Sequence, residues 1–366
     1  MLAPVSSPFS FEPNADPVES GERARRIADP GFGRVFTDHM AVVHYSDARG
    51  WHQPQVVARA PLSIDPACAV LHYAQEIFEG LKAYRQEDGG LSLFRPDMNA
   101  ARFRSSARRL AMPELPETLF VASLEALIAA DKEWMPPGPD ASIYLRPFMI
   151  ASETFLGVKP SGEYLYMVIA AASGSYWKGG TRPISLWVSH DFARAATGGT
   201  GAAKCGGNYA ASLVAQADAI RRGCDQVVFL DAAERRWVEE LGGMNIFFVQ
   251  ADGSLRTPPL TGTILPGVTR DSLIQLARDE GLTVREEPYA IDQWRADAKA
   301  GANAEAFACG TAAVVTPIGR VAGPDYDFQI GNGETGPVTA RLLERLTAIQ
   351  RGQTHDPHGW RHALRS

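Results

Sequence analysis

Apolar residues in this chain come in short runs separated by glycine, proline and polar clusters. Met40–Tyr45, Gln55–Leu62, Ser142–Ile150, Tyr164–Ala172, Ile184–Val188, Gln226–Leu230 and Asn245–Val249 have the length and apolar content of strands. Leu71, Ala74, Ile77, Phe78 and Leu81 repeat at helical spacing, which predicts a helix from Leu71 through Tyr84. The same periodicity predicts helices over Asp97–Ala111, Phe120–Trp134, Tyr209–Arg222, Thr269–Glu280 and Pro337–Gln350. Several ends are punctuated accordingly. Pro136-Pro137 cannot continue a helix. Asn208 is a good N-cap and Gly223 a good C′ residue for the Tyr209–Arg222 helix, and Thr269 offers an N-cap to the helix it opens.

Strands and helices are mixed without regular βαβ alternation, so the fold class is α/β (α+β), with two mixed domains rather than one doubly wound sheet. The Gly/Ser/aromatic stretch Ser173–Gly180 marks the linker. The expected organisation is a smaller N-terminal domain at 1–175, an interdomain linker at 176–183 and a larger C-terminal domain at 184–366. The first thirty residues or so carry Pro4, Pro8, Pro13, Asp16 and Glu19 and read as a polar arm, frayed or ordered only on docking.

Composition narrows the class. With 366 residues, 45% of them hydrophobic and a net charge of −6, the chain has material for a large core and no basic excess to attract nucleic acid. Leu165–Ala172, the longest apolar run, is far too short to cross a bilayer, and the amino-terminal segment lacks the basic start and apolar stretch of a secretory signal. Cys68, Cys205, Cys224 and Cys309 show neither metal-ligand spacing nor a C-x-x-C pair. These features point to a reduced, cytoplasmic, metal-free protein with no membrane partner.

Chemistry concentrates in one segment. Residues 197–209 read Thr-Gly-Gly-Thr-Gly-Ala-Ala-Lys-Cys-Gly-Gly-Asn-Tyr, five glycines around Lys204. Only six of the 36 basic residues are lysines, and this one lies in an apolar, uncharged loop. Glycine lets backbone turn sharply and lets a ligand approach, and a partly desolvated lysine is a nucleophile toward carbonyls. The segment therefore suggests a Schiff-base lysine and a pyridoxal phosphate enzyme. A phosphate-binding P-loop is excluded, because Ala203 stands where its second glycine is required and Cys205 where its hydroxyl is required.

Such a site needs an anion site, a partner for the pyridine nitrogen, a partner for the phenolic oxygen and a place for the substrate carboxylate. Leu265-Pro266-Gly267-Val268-Thr269 runs into a helix start, where free N–H groups attract phosphate, and Gly267 allows close ligand approach. Arg102, Arg104, Arg108 and Arg109 are all candidate cationic partners, and chemistry alone does not choose among them. A carboxylate that keeps the pyridine nitrogen protonated could be Glu239 or Glu240; on a strand the two would face opposite ways.

With these residues in view, the chain resembles the branched-chain amino acid aminotransferases, fold-type IV pyridoxal phosphate enzymes of the class-IV aminotransferase family. The likeness is carried by Gly199-Thr200-Gly201, Lys204-x-Gly206-Gly207-Asn208-Tyr209, Phe36-Thr37-Asp38-His39-Met40, Phe78-Glu79-Gly80-Leu81-Lys82-Ala83, Tyr144-Leu145-Arg146-Pro147, Glu240-Leu241-Gly242-Gly243-Met244-Asn245, Ile264-Leu265-Pro266-Gly267-Val268-Thr269-Arg270 and Gly310-Thr311-Ala312. It spans some three hundred residues. It implies a homodimer whose active site lies between the two domains at the dimer interface.

The resemblance also implies residue roles. Lys204 would carry the cofactor and shuttle a proton, Glu240 would face the pyridine nitrogen and Tyr209 the phenolic oxygen. Arg102, Gly267, Val268, Thr269 and Thr311 would hold the phosphate. Thr311 and Ala312 would receive the substrate α-carboxylate. Phe32, Phe78, Tyr144, Tyr176 and Met244 would form the aliphatic pocket, joined by Tyr73, Leu156 and Val158 from the partner subunit. Arg146 would bind the distal carboxylate of glutamate. The implied reaction is ping-pong transamination of leucine, isoleucine or valine with 2-oxoglutarate, through pyridoxamine phosphate.

Two departures stand out. Ala313 and Thr316 replace a thiol pair found in some members, so no redox switch of that type is expected, and Gly243 replaces a threonine of several members. The same fold also resembles D-amino acid aminotransferases and aminodeoxychorismate lyases. None of the eight histidines has an arginine two residues before it, which counts against the R-x-H carboxylate trap of the D-amino acid enzymes.

Overall fold

A computed structural model describes residues 7–174, 176 and 180–364. The chain divides into two compact units, residues 1–178 with 350–366, and residues 179–349. Of the linker expected at 176–183, residues 177–179 lie outside the described residues, as does Pro4 of the expected arm.

In the first unit the elements run β1 (Ser10–Phe11), α1 (Ser20–Ala28), β2 (Val35–Ser46), β3 (Gly50–Ala58), α2 (Ala69–Tyr73) and β4 (Glu76–Phe78). They continue with β5 (Leu81–Arg85), β6 (Leu91–Phe94), α3 (Pro96–Arg109), α4 (Glu117–Asp131), β7 (Ser142–Ala151) and β8 (Glu163–Ser173). The second unit holds β9 (Ile184–Ser189), α5 (Gly206–Arg221), β10 (Gln226–Leu230), β11 (Val238–Leu241), β12 (Asn245–Gln250), β13 (Leu255–Thr257) and α6 (Val268–Asp279). After these come β14 (Val284–Glu286), α7 (Ile291–Ala300), β15 (Asn303–Gly310), β16 (Val314–Gly323), β17 (Tyr326–Gln329) and α8 (Pro337–Gln350). β18 (Arg361–Ala363) belongs to the first unit.

Each unit is built on one sheet. The first has the order β1-β3-β2-β8-β7-β5-β6-β18, with β4 on β7, and all its pairs are antiparallel except β1 with β3. The second has the order β11-β10-β9-β16-β15-β12-β13-β14, with β17 on β16, and mixes parallel and antiparallel pairs. In the first unit Phe103 of α3 and Phe120 of α4 close on Tyr166 of β8, and Ser123 satisfies that tyrosine's hydroxyl at 2.9 Å. In the second, Phe247 stacks on Phe307 at 5.1 Å, and Phe248 meets Trp294 edge-on. These buried rings supply large apolar area on both sheets.

Three sequence expectations give way to tertiary structure. The helix expected over Leu71–Tyr84 is a single turn, α2, followed by β4 and β5. Ala74 adopts a left-handed conformation (φ 48°) that ends the helix, and the apolar run then alternates across a sheet, with Ile77, Leu81 and Ala83 all inside. The polar arm, from residue 7 on, is ordered against its own unit. Asp38 accepts the Val18 N–H at 3.1 Å, and His39 Nε2 accepts the Asn14 N–H at 3.0 Å while its Nδ1 faces Asp131. Finally, Asn208 is not the N-cap of α5; Cys205 is. The Asn208 side chain instead donates to the Thr200 and Ala203 carbonyls at 2.8 and 2.9 Å and accepts from the Thr200 hydroxyl, folding the glycine loop onto its own helix.

Gly80 has a stereochemical reason to be glycine. A Cβ there would lie 2.1 Å from the Tyr144 hydroxyl, inside any tolerable contact. Gly80→Ala is therefore expected to displace Tyr144 and break its 3.0 Å bond from Arg146, destabilising the fold by about 1–3 kcal/mol in urea denaturation.

Candidate active site

In the second unit the chemistry is gathered where β11 and β12, the β15–β16 turn and the starts of α5 and α6 come together. Lys204 precedes α5 and is half-buried; its Nζ donates to the Tyr209 hydroxyl at 2.6 Å, one helical turn further on. Tyr209 touches the glycine corner between β11 and β12, where a Cβ on Gly243 would sit 3.5 Å from the ring. Met244 lies against Gly310, whose own Cβ position is 3.4 Å from Met244 Cγ. Thr311 and Ala312 form the turn that follows Gly310. Lys204 is thus bonded to Tyr209, Tyr209 lies near Gly243, and the next residue, Met244, lies near Gly310, which leads into the Thr311–Ala312 turn.

Glu240 is the buried anion of this region. Its carboxylate accepts the Leu265 N–H at 2.9 Å and forms an ion pair with Arg194 Nη2 at 2.5 Å. Burial pushes its pKa up from an ordinary 4.5 to about 7, against the opposing pull of Arg194, the Leu265 amide and Lys204. Glu239 is buried as well, but on different partners. It accepts from Thr263 Oγ1 at 2.5 Å, burial raises its pKa, and its Oε2 has no hydrogen-bond partner among the described residues. The two neighbouring carboxylates thus have different direct partners, Glu240 the Leu265 amide and Arg194, and Glu239 the Thr263 hydroxyl, while the charge of Arg194 acts on both.

The helix that Val268 opens begins one residue earlier than expected. Gly267 is its N-cap, so Thr269 lies inside the first turn and makes no cap. Packing within the protein also calls for glycine at 267: a Cβ would fall 2.0 Å from Asn245 Oδ1, and Asn245 itself donates to the Leu265 carbonyl. The first N–H groups of this twelve-residue helix, at Val268 and Thr269, have no acceptor within the helix and form an anion-attracting terminus.

The first unit holds a second group. Phe32 packs edge-on against Tyr144 and Tyr176 at 4.9 and 5.0 Å. Arg146 lies over Phe78 at 4.8 Å, and its Nε is buried with no hydrogen-bond partner among the described residues. Arg102 is buried in a two-pronged ion pair with Glu79, at 2.7 and 2.8 Å, and Asn99 donates to the same carboxylate. Of the other arginines of α3, Arg104 and Arg108 form surface pairs with Glu114. Tyr73, Leu156 and Val158 are exposed, and Tyr73 donates its hydroxyl to the Leu156 carbonyl. Among the described residues no group of His, Cys, Asp and Glu could hold a metal ion, and no helix is long and apolar enough to cross a membrane.

A lysine paired with a tyrosine, a buried carboxylate and an anion-binding helix start suit a phosphorylated, nitrogen-containing aldehyde cofactor. Comparison with known proteins agrees. The family model for amino-transferase class IV matches residues 76–321. The chain belongs to the class IV aminotransferases. It is 56% identical to a probable branched-chain-amino-acid aminotransferase of Streptomyces coelicolor, over 97% of this chain and 98% of that one. It is 55% identical to the branched-chain-amino-acid aminotransferase of Mycolicibacterium smegmatis, over 96% and 97%. Among solved structures, the branched-chain amino acid aminotransferase from Escherichia coli superposes with a TM-score of 0.73 at 30% identity, covering 90% of this chain and 99% of that one. Family membership carries dependence on pyridoxal 5'-phosphate.

Sequence reasoning missed Arg194 and Thr263. Neither belongs to a glycine motif, and their link to Glu240 and Glu239 exists only once β11 meets residues 263–265. It also missed Glu79 as the partner of Arg102.

The pKa of Glu240 has a consequence for stability. Between about pH 4.5 and 7 the folded chain holds a proton there that the unfolded chain has lost, so stability from this group falls as pH rises. Chemical denaturation of the chain without added cofactor is expected to show the native protein losing stability relative to Glu240→Gln as pH rises through that window.

Proposed function

We propose that this protein transfers the amino group of leucine, isoleucine or valine to 2-oxoglutarate, as a pyridoxal 5'-phosphate-dependent branched-chain aminotransferase. The observation that carries this reading is the Lys204–Tyr209 pair beside the buried carboxylate of Glu240. The cofactor, when bound, supplies an electron sink that stabilises negative charge at the substrate α-carbon. The protein's own residues supply the rest.

Lys204 provides the amine that holds the cofactor aldehyde, and its Nζ afterwards carries the proton taken from the substrate α-carbon. Tyr209, already within hydrogen-bond reach of Nζ, orients that amine and answers the cofactor's phenolic oxygen. Glu240 keeps the ring nitrogen protonated. The first N–H groups of α6 at Val268 and Thr269, Gly267 before them, and the hydroxyl of Thr311 are assigned to the phosphate, together with Arg102, whose fork Glu79 already orients.

The turn at Thr311 and Ala312 is assigned to the substrate α-carboxylate. Phe32, Phe78, Tyr144, Tyr176 and Met244 receive the branched side chain. Arg146, a half-buried cation tethered to Tyr144 and stacked on Phe78, receives the second carboxylate of glutamate. An apolar wall with one tethered cation accepts both substrates in turn. Tyr73, Leu156 and Val158, large apolar side chains exposed in a single chain, are assigned to a second copy's site, which makes the working form a homodimer. Sedimentation equilibrium is expected to return twice the chain mass.

Purified protein is expected to be yellow, and borohydride to fix the cofactor on the peptide containing Lys204; labelling of a different lysine would remove the assignment. Lys204→Ala should lose turnover by at least about a thousandfold. Single-turnover spectra against leucine, valine, glutamate, D-alanine and aminodeoxychorismate decide the substrate class. Bleaching by the first three alone is the expected result, and bleaching by D-alanine or aminodeoxychorismate alone would overturn it.

A further inference from the structure

Arg194 is only 6% exposed, precedes Lys204 by ten residues and belongs to none of the motifs that define the site. Its Nη2 gathers three acceptors: it donates to the Gly201 carbonyl at 2.8 Å, to the Thr263 carbonyl at 2.7 Å, and lies 2.5 Å from Glu240 Oε1. The backbone is shaped to permit this crowding. A Cβ at Gly201 would come within 2.3 Å of the Thr263 carbonyl oxygen, so only glycine allows the two carbonyls to converge on one guanidinium.

From this we infer that Arg194 is a positioning residue, which draws the Glu240 carboxylate toward its charged form, aims it and ties it to the loop that presents Lys204. The inference rests on the proposed function, since that reading makes Glu240 the partner of the ring nitrogen. A fully buried carboxylate with no cation takes up a proton and then cannot support a protonated ring nitrogen beside it. The ionisable groups that act on Glu240 are Arg194, Lys204 and Glu239, and it acts in turn on Cys309, whose thiol burial pushes up. Arg194 and Lys204 are the two cations. Lys204 is committed to the cofactor aldehyde once the enzyme is loaded, which removes its positive charge from this balance unless it is protonated again. Arg194 is then the fixed charge that remains. All three acceptors converge on Nη2, which has two N–H groups to share among them, while the buried Nε has no hydrogen-bond partner among the described residues; a lysine ammonium would bring the same charge with a different reach.

The test separates charge from shape. The full chain is prepared with ¹³C-labelled glutamate and without cofactor, and the infrared carboxylate band absent from Glu240→Gln is titrated. In Arg194→Gln, or in Arg194→Met if the glutamine variant does not fold, the midpoint is expected to rise by about one pH unit or more, and in Arg194→Lys by less than about half a unit. In loaded enzyme, Arg194→Gln should lower kcat roughly ten- to hundredfold with little change in KM, and Arg194→Lys should recover most of that loss. An unshifted band in folded Arg194→Gln or Arg194→Met overturns the inference, as does a lysine variant no better than the glutamine one. The band reads Arg194 whether or not a cofactor binds, whereas borohydride labelling at Lys204 reads the function, so the two fail separately.

Discussion

The balance between burial and charge at one carboxylate, Glu240, is the constraint around which this site is arranged. Water would solvate Glu240 readily, but it is buried, where attraction for the ring N–H proposed as its partner would be strong and undiluted. Burial alone drives such a group toward neutrality. The backbone N–H of Leu265 and the guanidinium of Arg194 oppose that drift. Both partners come from segments that also shape the site: Leu265 leads into the α6 terminus, and Arg194 leads into the Lys204 loop. The electrostatics of one side chain and the geometry of two loops are therefore a single problem with a single solution.

The glycines show how tightly that solution is drawn. Gly201 lets two carbonyls converge on Arg194, Gly267 admits the Asn245 amide, and Gly80 admits the Tyr144 hydroxyl. In none of the three is a positive φ the reason; a neighbouring polar group occupies the place a Cβ would take. The sequence shows glycine-rich motifs but not this distinction, because glycine for a turn and glycine for a close neighbour look alike in one dimension. At Gly267 in particular, the place a Cβ would take is filled by the Asn245 amide, a neighbour invisible in the sequence.

Much of the fold was legible where apolar periodicity was long and its ends were punctuated. The Phe120–Trp134 and Thr269–Glu280 helices appear within a few residues of their expected limits as α4 and α6, and the buried strands at Ser142 and Tyr164 appear as β7 and β8. The run from Leu71 misled because helical and strand spacing coincide at Ile77 and Leu81, and the deciding contact, pairing with β7, is sixty or more residues away in sequence. Lys204, Tyr209 and Glu240 could be singled out through their motifs, and the Lys204–Tyr209 bond is what spacing alone did not give. Arg194, Thr263 and Glu79 were not, since each matters through a partner that only folding supplies.

One topological feature reaches beyond the site. Residues 350–366 return to the first unit, where β18 pairs with β6 through Arg361–Phe94 and Ala363–Ser92, and the Arg95 N–H donates to the Trp360 carbonyl. The second unit is thus an insertion between two pieces of the first. A chain emerging from the ribosome can close its later sheet while the earlier one still presents an open strand at β6, which stays uncovered until residues 361–363 are made. Synthesis order and completion order are inverted, and residues 361–363 become a latch for a structure begun hundreds of residues before.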